Sequence, residues 1–104
     1  MMSVMVEFSV VPMGKGASIS PIIARVMKIV AESGVSYKAS PMGTVLEGDW
    51  DTVMGLVKQC HTEVMKDAER ALTTIKIDDR KAIETRMGKK LESVEQKLGM
   101  KLNK

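Results

Sequence analysis

The chain has 104 residues, 44% hydrophobic and 28% charged, with a formal net charge of +3; these are the proportions of one globular domain, spanning 1–104, with one core. A lone cysteine (Cys60) and a lone histidine (His61) exclude an intramolecular disulfide, a thiolate-held iron–sulfur cluster and a four-ligand structural zinc site, so no metal is expected. No apolar run approaches the ~20 residues that span a bilayer, and "MMSVMVEFSV" lacks a basic leader and carries Glu7, so a cytoplasmic chain without a membrane partner is expected.

Over 3–11, Val4, Val6, Phe8 and Val10 alternate with Met5, Glu7, Ser9 and Val11. Period two with β-branched residues predicts a half-buried strand. "PMGKGAS" then breaks it, because Pro12, Gly14 and Gly16 favour turn geometry. Ser20-Pro21 reads as an N-cap followed by proline at the first helical position. Ile22, Ile23, Val26, Met27 and Val30 recur at helical spacing, and Gly34 is a natural residue to follow the helix end. "VSYKAS" is a second short strand, "PMG" a turn and "TVLEGD" a third strand. Asp49 or Asp51 caps a second helix whose apolar face runs through Trp50, Val53, Met54, Val57, Cys60, Val64 and Ala68. "RALTTIKID" is a fourth strand. A last helix is expected over about 82–98, with Ile83, Met87, Leu91, Val94 and Leu98 as a seam.

The order β-α-β-β-α-β, followed by a terminal helix, predicts an α+β ferredoxin-like sandwich. Right-handed crossovers put both helices on one face of a four-stranded antiparallel sheet. The other face is left for solvent, a ligand, a partner or the last helix.

That fold serves many functions, and residue content removes several. An RNA-recognition domain stacks bases on strand aromatics; this chain has one Phe, one Tyr and one Trp, and "TVLEGD" has none. The basic residues near the C-terminus are interleaved with Glu84, Glu92 and Glu95, as on a solvated helix face, so no nucleic-acid partner is expected. A metal chaperone would need paired cysteines after the first strand. Gly14-Lys15-Gly16 lacks Walker spacing, so Lys15 reads first as part of a turn and only second as an anion contact. Cys60 and His61, adjacent on a helix, diverge by about 100° and cannot form a nucleophile–base pair. His61 at the stripe's edge is either a hydrogen-bonded boundary residue or a ligand contact. No catalytic residue is identified, and no enzyme is expected.

The stretches "SGVSYKASPMGTVLEGDWDTVM" and "IKIDDR", within a pattern that runs through nearly the whole chain, resemble the small thiamine-binding protein family. That resemblance implies a ferredoxin-like subunit forming homodimers or homotetramers, with thiamine or its hydroxymethylpyrimidine half as a small-molecule ligand, no further cofactor and no established catalysis. Such a ligand makes three demands. Its aminopyrimidine offers an amine beside a ring nitrogen, its thiazolium is a fixed cation, and its flat rings want an apolar slot, for which methionine is well suited.

Glu47 is the carboxylate that could meet the amine, with Glu7 or Ser9 near it on the adjacent strand. Thr44 and Ser36 could add hydroxyl contacts, while Met42 and Trp50 could touch the rings. Each has an ordinary alternative: Glu47 in a cross-strand pair with Lys38 or Lys76, and Trp50 packed into the core at a helix start, the stronger reading. Asp78 and Arg80, in "IDDR", could bind an anion but more commonly cap a helix or tie subunits together. The one-sided sheet and Leu98-Gly99-Met100 add to the expectation of self-association.

Overall fold

The computed structural model describes residues 3–14, 19–81 and 99. Its elements are β1 (Val4–Met13), α1 (Ser20–Glu32), β2 (Ser36–Ser40), β3 (Gly43–Gly48), α2 (Trp50–Met65) and β4 (Arg70–Asp79). The strands form one antiparallel sheet in the order β2-β3-β1-β4. With both helices on one side, this is the ferredoxin-like α+β fold. The expected last helix, and Lys15 with its loop, lie outside the described residues.

The alternation read from β1 is the one that builds the core. Val4, Val6, Phe8 and Val10 are buried beneath the helices with Leu46 of β3, Ile22, Val26 and Val30 of α1, and Val53, Leu56, Val57, Cys60 and Val64 of α2. Met27 and Met54 pack against this cluster half-buried, as helical spacing indicated. At the side of the bundle, Arg25 of α1 pairs with Glu63 and Asp67 beyond α2's outer face, and Lys66 also reaches Glu63. These pairs are largely exposed and fix the approach of α1 to α2 more than they stabilise it.

Several boundaries differ from the expectation, each for a local reason. β1 continues two residues past Val11, because Pro12 pairs in register with Ala71. Proline is tolerated there only if its missing N–H faces an edge that needs no donor. The strand ends instead at Gly14, whose φ of +80° suits glycine. α1 begins at Ser20 itself. Its N-cap is Ile19, with no side-chain cap, and the Ile19 carbonyl accepts from Ile22 and Ile23 N–H at 3.0 and 3.1 Å. At the other end Ser33 caps α1, donating its hydroxyl to Val30 O at 2.6 Å, and Gly34 follows at φ +80°. α2 is capped by Asp49, whose carboxylate accepts from Thr52 N–H at 3.0 Å. Trp50, read as core, is 48% exposed, whereas Val53, three residues on, is fully buried beside Gly48 of β3.

One mismatch shapes the site. β1 pairs with β4 from Val4 to Met13, but with β3 only from Val4 to Phe8. Beyond Phe8 the β3 side of β1 has no strand beside it among the described residues.

Candidate functional site

Where β3 falls short, a concavity of about 520 Å³ opens between the first half of α1, the overhanging end of β1 and the β2–β3 hairpin. Phe8 and Val10 form its floor, Ile23 and Met27 of α1 one wall, and Pro41, Met42 and Thr44 of the hairpin the other; Ser9 reaches its rim. None of its described lining residues is ionisable. Apolar walls with a few hydroxyl and backbone groups are the usual make-up of a site for a small flat ligand.

The hairpin is rigid on this side. Ser40 donates its hydroxyl to Gly43 O at 2.8 Å and accepts from Met42 N–H at 3.3 Å. That bracing leaves Met42 87% exposed at the tip, an apolar thioether on the rim of an apolar slot. Thr44 is unusual in a different way. It is 6% exposed, yet among the described residues its hydroxyl faces only the Met27 sulfur, at 3.6 Å. A thioether is a weak acceptor, so this buried hydroxyl is underused and stands at the wall of the slot.

The structure divides the expected site residues between the two faces of the sheet. Thr44 and Met42 meet at the slot; Ser9 borders it along β1, but its side chain alternates with Phe8 and Val10 and so projects from the other face. Glu7, Glu47 and Ser36 project from the opposite face, where Met5 and Ser36 flank Glu47 across the strands. Glu47 is nonetheless buried, at 6% exposure. Ser9 is not its neighbour: it lies four residues along β1 from Met5, about 13 Å away at strand rise. Nor does Lys76 or Lys38 stand opposite Glu47. The register sets Lys76 against Glu7 and Lys38 against Val45.

A shallower concavity of about 310 Å³ lies on that open face, lined by Met5, Glu7, Val45, Lys76, Ile77 and Asp78. At its end Arg80 approaches Asp78 at 3.8 Å. Trp50 lines neither concavity. His61 is a tie rather than part of either: its Nδ1 is 2.6 Å from the Thr73 hydroxyl, which joins α2 to β4. Cys60 beside it is fully buried, and burial pushes its thiol up to about 11, well away from a reactive thiolate.

Sequence reasoning missed the slot-lining roles of Phe8, Ile23 and Met27, which read as core. The signal available was length. The first strand and its flanking proline run to ten residues, against six in the third, so one end of the first had to overhang.

A family model for "Thiamine-binding protein" matches residues 6–95, covering nearly all of the secondary structure described above. The chain belongs to this family. Within the thiamine-binding protein family its relatives include the UPF0045 protein MJ1052 of Methanocaldococcus jannaschii, 35% identical over 94 residues, covering 90% of this chain and 94% of that one. A UPF0045 protein of Mycobacterium tuberculosis is 37% identical over 98 residues, covering 93% and 96%. The crystal structure of the Methanocaldococcus protein superposes with a TM-score of 0.82, covering 90% of this chain and 97% of its own. A Thermotoga maritima protein, provisionally named for thiamine biosynthesis or salvage, has a TM-score of 0.75 at 25% identity, covering 88% and 98%. Family membership and fold therefore agree.

Proposed function

We propose that this protein binds thiamine, or its hydroxymethylpyrimidine half, without transforming it, in the slot between α1 and the β2–β3 hairpin. The observation that carries the reading is the buried, underused Thr44 hydroxyl at the wall of an apolar cleft in a chain of the thiamine-binding family. The aminopyrimidine lies flat against Phe8 and Met27 and exchanges the weak O–H···S contact of Thr44 for a stronger hydrogen bond. Met42 closes over the ring from the hairpin tip. The thiazolium, a permanent cation, remains toward the mouth of the slot, where it keeps its solvation.

A second reading has one observation of its own. Glu47 is a buried carboxylate on the open face, and Glu7 and Asp78 line the concavity beside it, so a cationic ring could be held there instead. In that case Glu47→Gln weakens binding by roughly 1–3 kcal/mol, whereas binding in the slot leaves this variant unaffected.

Assembly into a homodimer or homotetramer is part of the proposal. It is supported by two sheet edges, β2 and β4, with no strand beside them among the described residues, and by Leu72, Ile75 and Ile77 standing 40–57% exposed on β4. Such edges and patches invite pairing. Light scattering at micromolar concentration tests it, and a monomer contradicts it.

Titration calorimetry with thiamine and with hydroxymethylpyrimidine tests the binding itself, the expectation being saturable heat and a matching thermal shift. No heat and no shift at millimolar ligand would remove the function. Chromatography of the incubated mixture separates a binder from a salvage enzyme: unchanged ligand is expected, and turnover by pure protein would overturn the non-enzymatic reading.

A further inference from the structure

The overhang of β1 has a fixed orientation. A side-chain carbon placed on Gly43 would lie 3.1 Å from the Phe8 carbonyl oxygen. The Phe8 C=O therefore points across to β3, as does its N–H, because in an antiparallel pair one residue exchanges both bonds with its partner. Direction alternates along a strand, so the even-numbered residues of β1 face β3 and the odd-numbered ones face β4. Pro12 agrees: its nitrogen, which has no proton, falls on the side where β3 has already ended.

Val10 is the next even residue after Phe8. Its N–H and C=O point over the end of β3, toward the slot it helps to line. The Val10 side chain is buried in the core at 6% exposure, which fixes the backbone in place. Among the described residues no backbone hydrogen bond outside the helices and strands involves it, and the β1–β3 ladder stops two residues short of it. A donor and an acceptor thus lie side by side, on one rigid residue, at the floor of an apolar cleft. Buried backbone groups are almost always paired, with a ligand if not with protein.

We propose that the N–H and C=O of Val10 form a two-point edge that recognises the aminopyrimidine: Val10 N–H donates to the ring nitrogen, and the adjacent exocyclic amine donates to the Val10 carbonyl. This rests on the functional reading above and sharpens it into a substrate class. The slot takes planar heterocycles presenting an acceptor beside a donor in that order, and rejects those in which the order is reversed. In β-strand terms the ligand's edge stands in for the next residue of β3.

The test uses the full-length chain, labelled with 15N-valine. In the ligand-free protein the Val10 amide is expected to exchange with solvent at least about a hundredfold faster than that of Val6, whose N–H is held by β3. Adding hydroxymethylpyrimidine should shift the Val10 amide signal and slow its exchange. The 4-oxo analogue, whose donor and acceptor are exchanged, should bind at least about tenfold more weakly. Replacing Val10 by its α-hydroxy acid keeps the side chain, deletes the N–H and weakens only the Ser9 carbonyl, which faces β4; it should cost roughly tenfold in affinity with the fold intact. A Val10 amide as protected as Val6 without ligand overturns the inference at once. If hydroxymethylpyrimidine binds but the Val10 amide stays unmoved and the ester variant binds equally well, the inference fails while the functional reading stands. If neither hydroxymethylpyrimidine nor thiamine binds, the functional reading fails and takes this inference with it.

Discussion

Thr44→Val separates ligand binding from folding more cleanly than any other single substitution. Threonine and valine are nearly the same shape and both favour strands, so the change deletes a hydroxyl and little else. In the free protein that hydroxyl is buried, with the Met27 sulfur 3.6 Å away. A buried hydroxyl lacking a good acceptor costs about 1–3 kcal/mol, and the contact to sulfur returns part of that, so the variant should be more stable by about 0.5–1 kcal/mol. For a domain of this size that raises Tm by roughly 2–8 °C. Binding should move the other way: losing one hydrogen bond to the ligand costs roughly 0.5–1.5 kcal/mol, or about two- to thirteenfold in Kd. Urea unfolding gives the first quantity and calorimetry the second. A variant that is destabilised by more than about 1 kcal/mol, or that binds as tightly as the parent, refutes the argument. Gains in stability with losses in function are the expected signature of a polar group held ready for a ligand.

The other expectations concern the surroundings. Glu47→Gln should leave the affinity for hydroxymethylpyrimidine within about twofold, because Glu47 and the slot lie on opposite faces of the sheet; a tenfold loss by calorimetry moves the site to the open face. Hydrogen bonds from Thr52, its hydroxyl first and its backbone N–H second, hold the Asp49 carboxyl below its ordinary value. Its contribution is therefore fully present above the unfolded-state carboxylate pKa and is lost as pH falls through the lower folded one. Asp49→Ala should accordingly destabilise α2 more at pH 6 than at pH 2.5, and Asp49→Asn, which can still cap, should flatten the acid limb; equal losses at both pH values would count against the cap. Cys60, buried and pushed up to about 11, should resist a thiol reagent at pH 8 until the chain unfolds, and rapid labelling of the native protein would contradict its place in the core.

The fold was legible wherever hydrophobic period and local chemistry agreed. Val4, Val6, Phe8 and Val10 on β1, and Val53, Val57, Cys60 and Val64 on α2, are the buried residues their spacing implies; Gly34 and Asp49 end and begin helices as their chemistry suggests. Alternation along β3 also puts Thr44 and Glu47 on opposite faces. Pooling them into one site came from the demands of the ligand, and the sheet keeps them apart. What the pattern could not carry was register. Pro12 reads as a break because proline lacks a donor, yet it continues β1 where no donor is required. Trp50 reads as core from its spacing, but it is the first residue of α2 and half exposed while Val53 three residues on is buried, a matter of tertiary placement rather than period. The slot itself exists because one strand outruns its neighbour, and Val10 belongs to it through its backbone, which no side-chain pattern reveals.

A crystal structure of the protein with hydroxymethylpyrimidine tests the central claim most directly. The ring is expected between Phe8, Met27 and Met42, with Thr44 and the backbone of Val10 in hydrogen-bonding contact. Density for the ring on the open face, beside Glu47 and Glu7, would contradict the account.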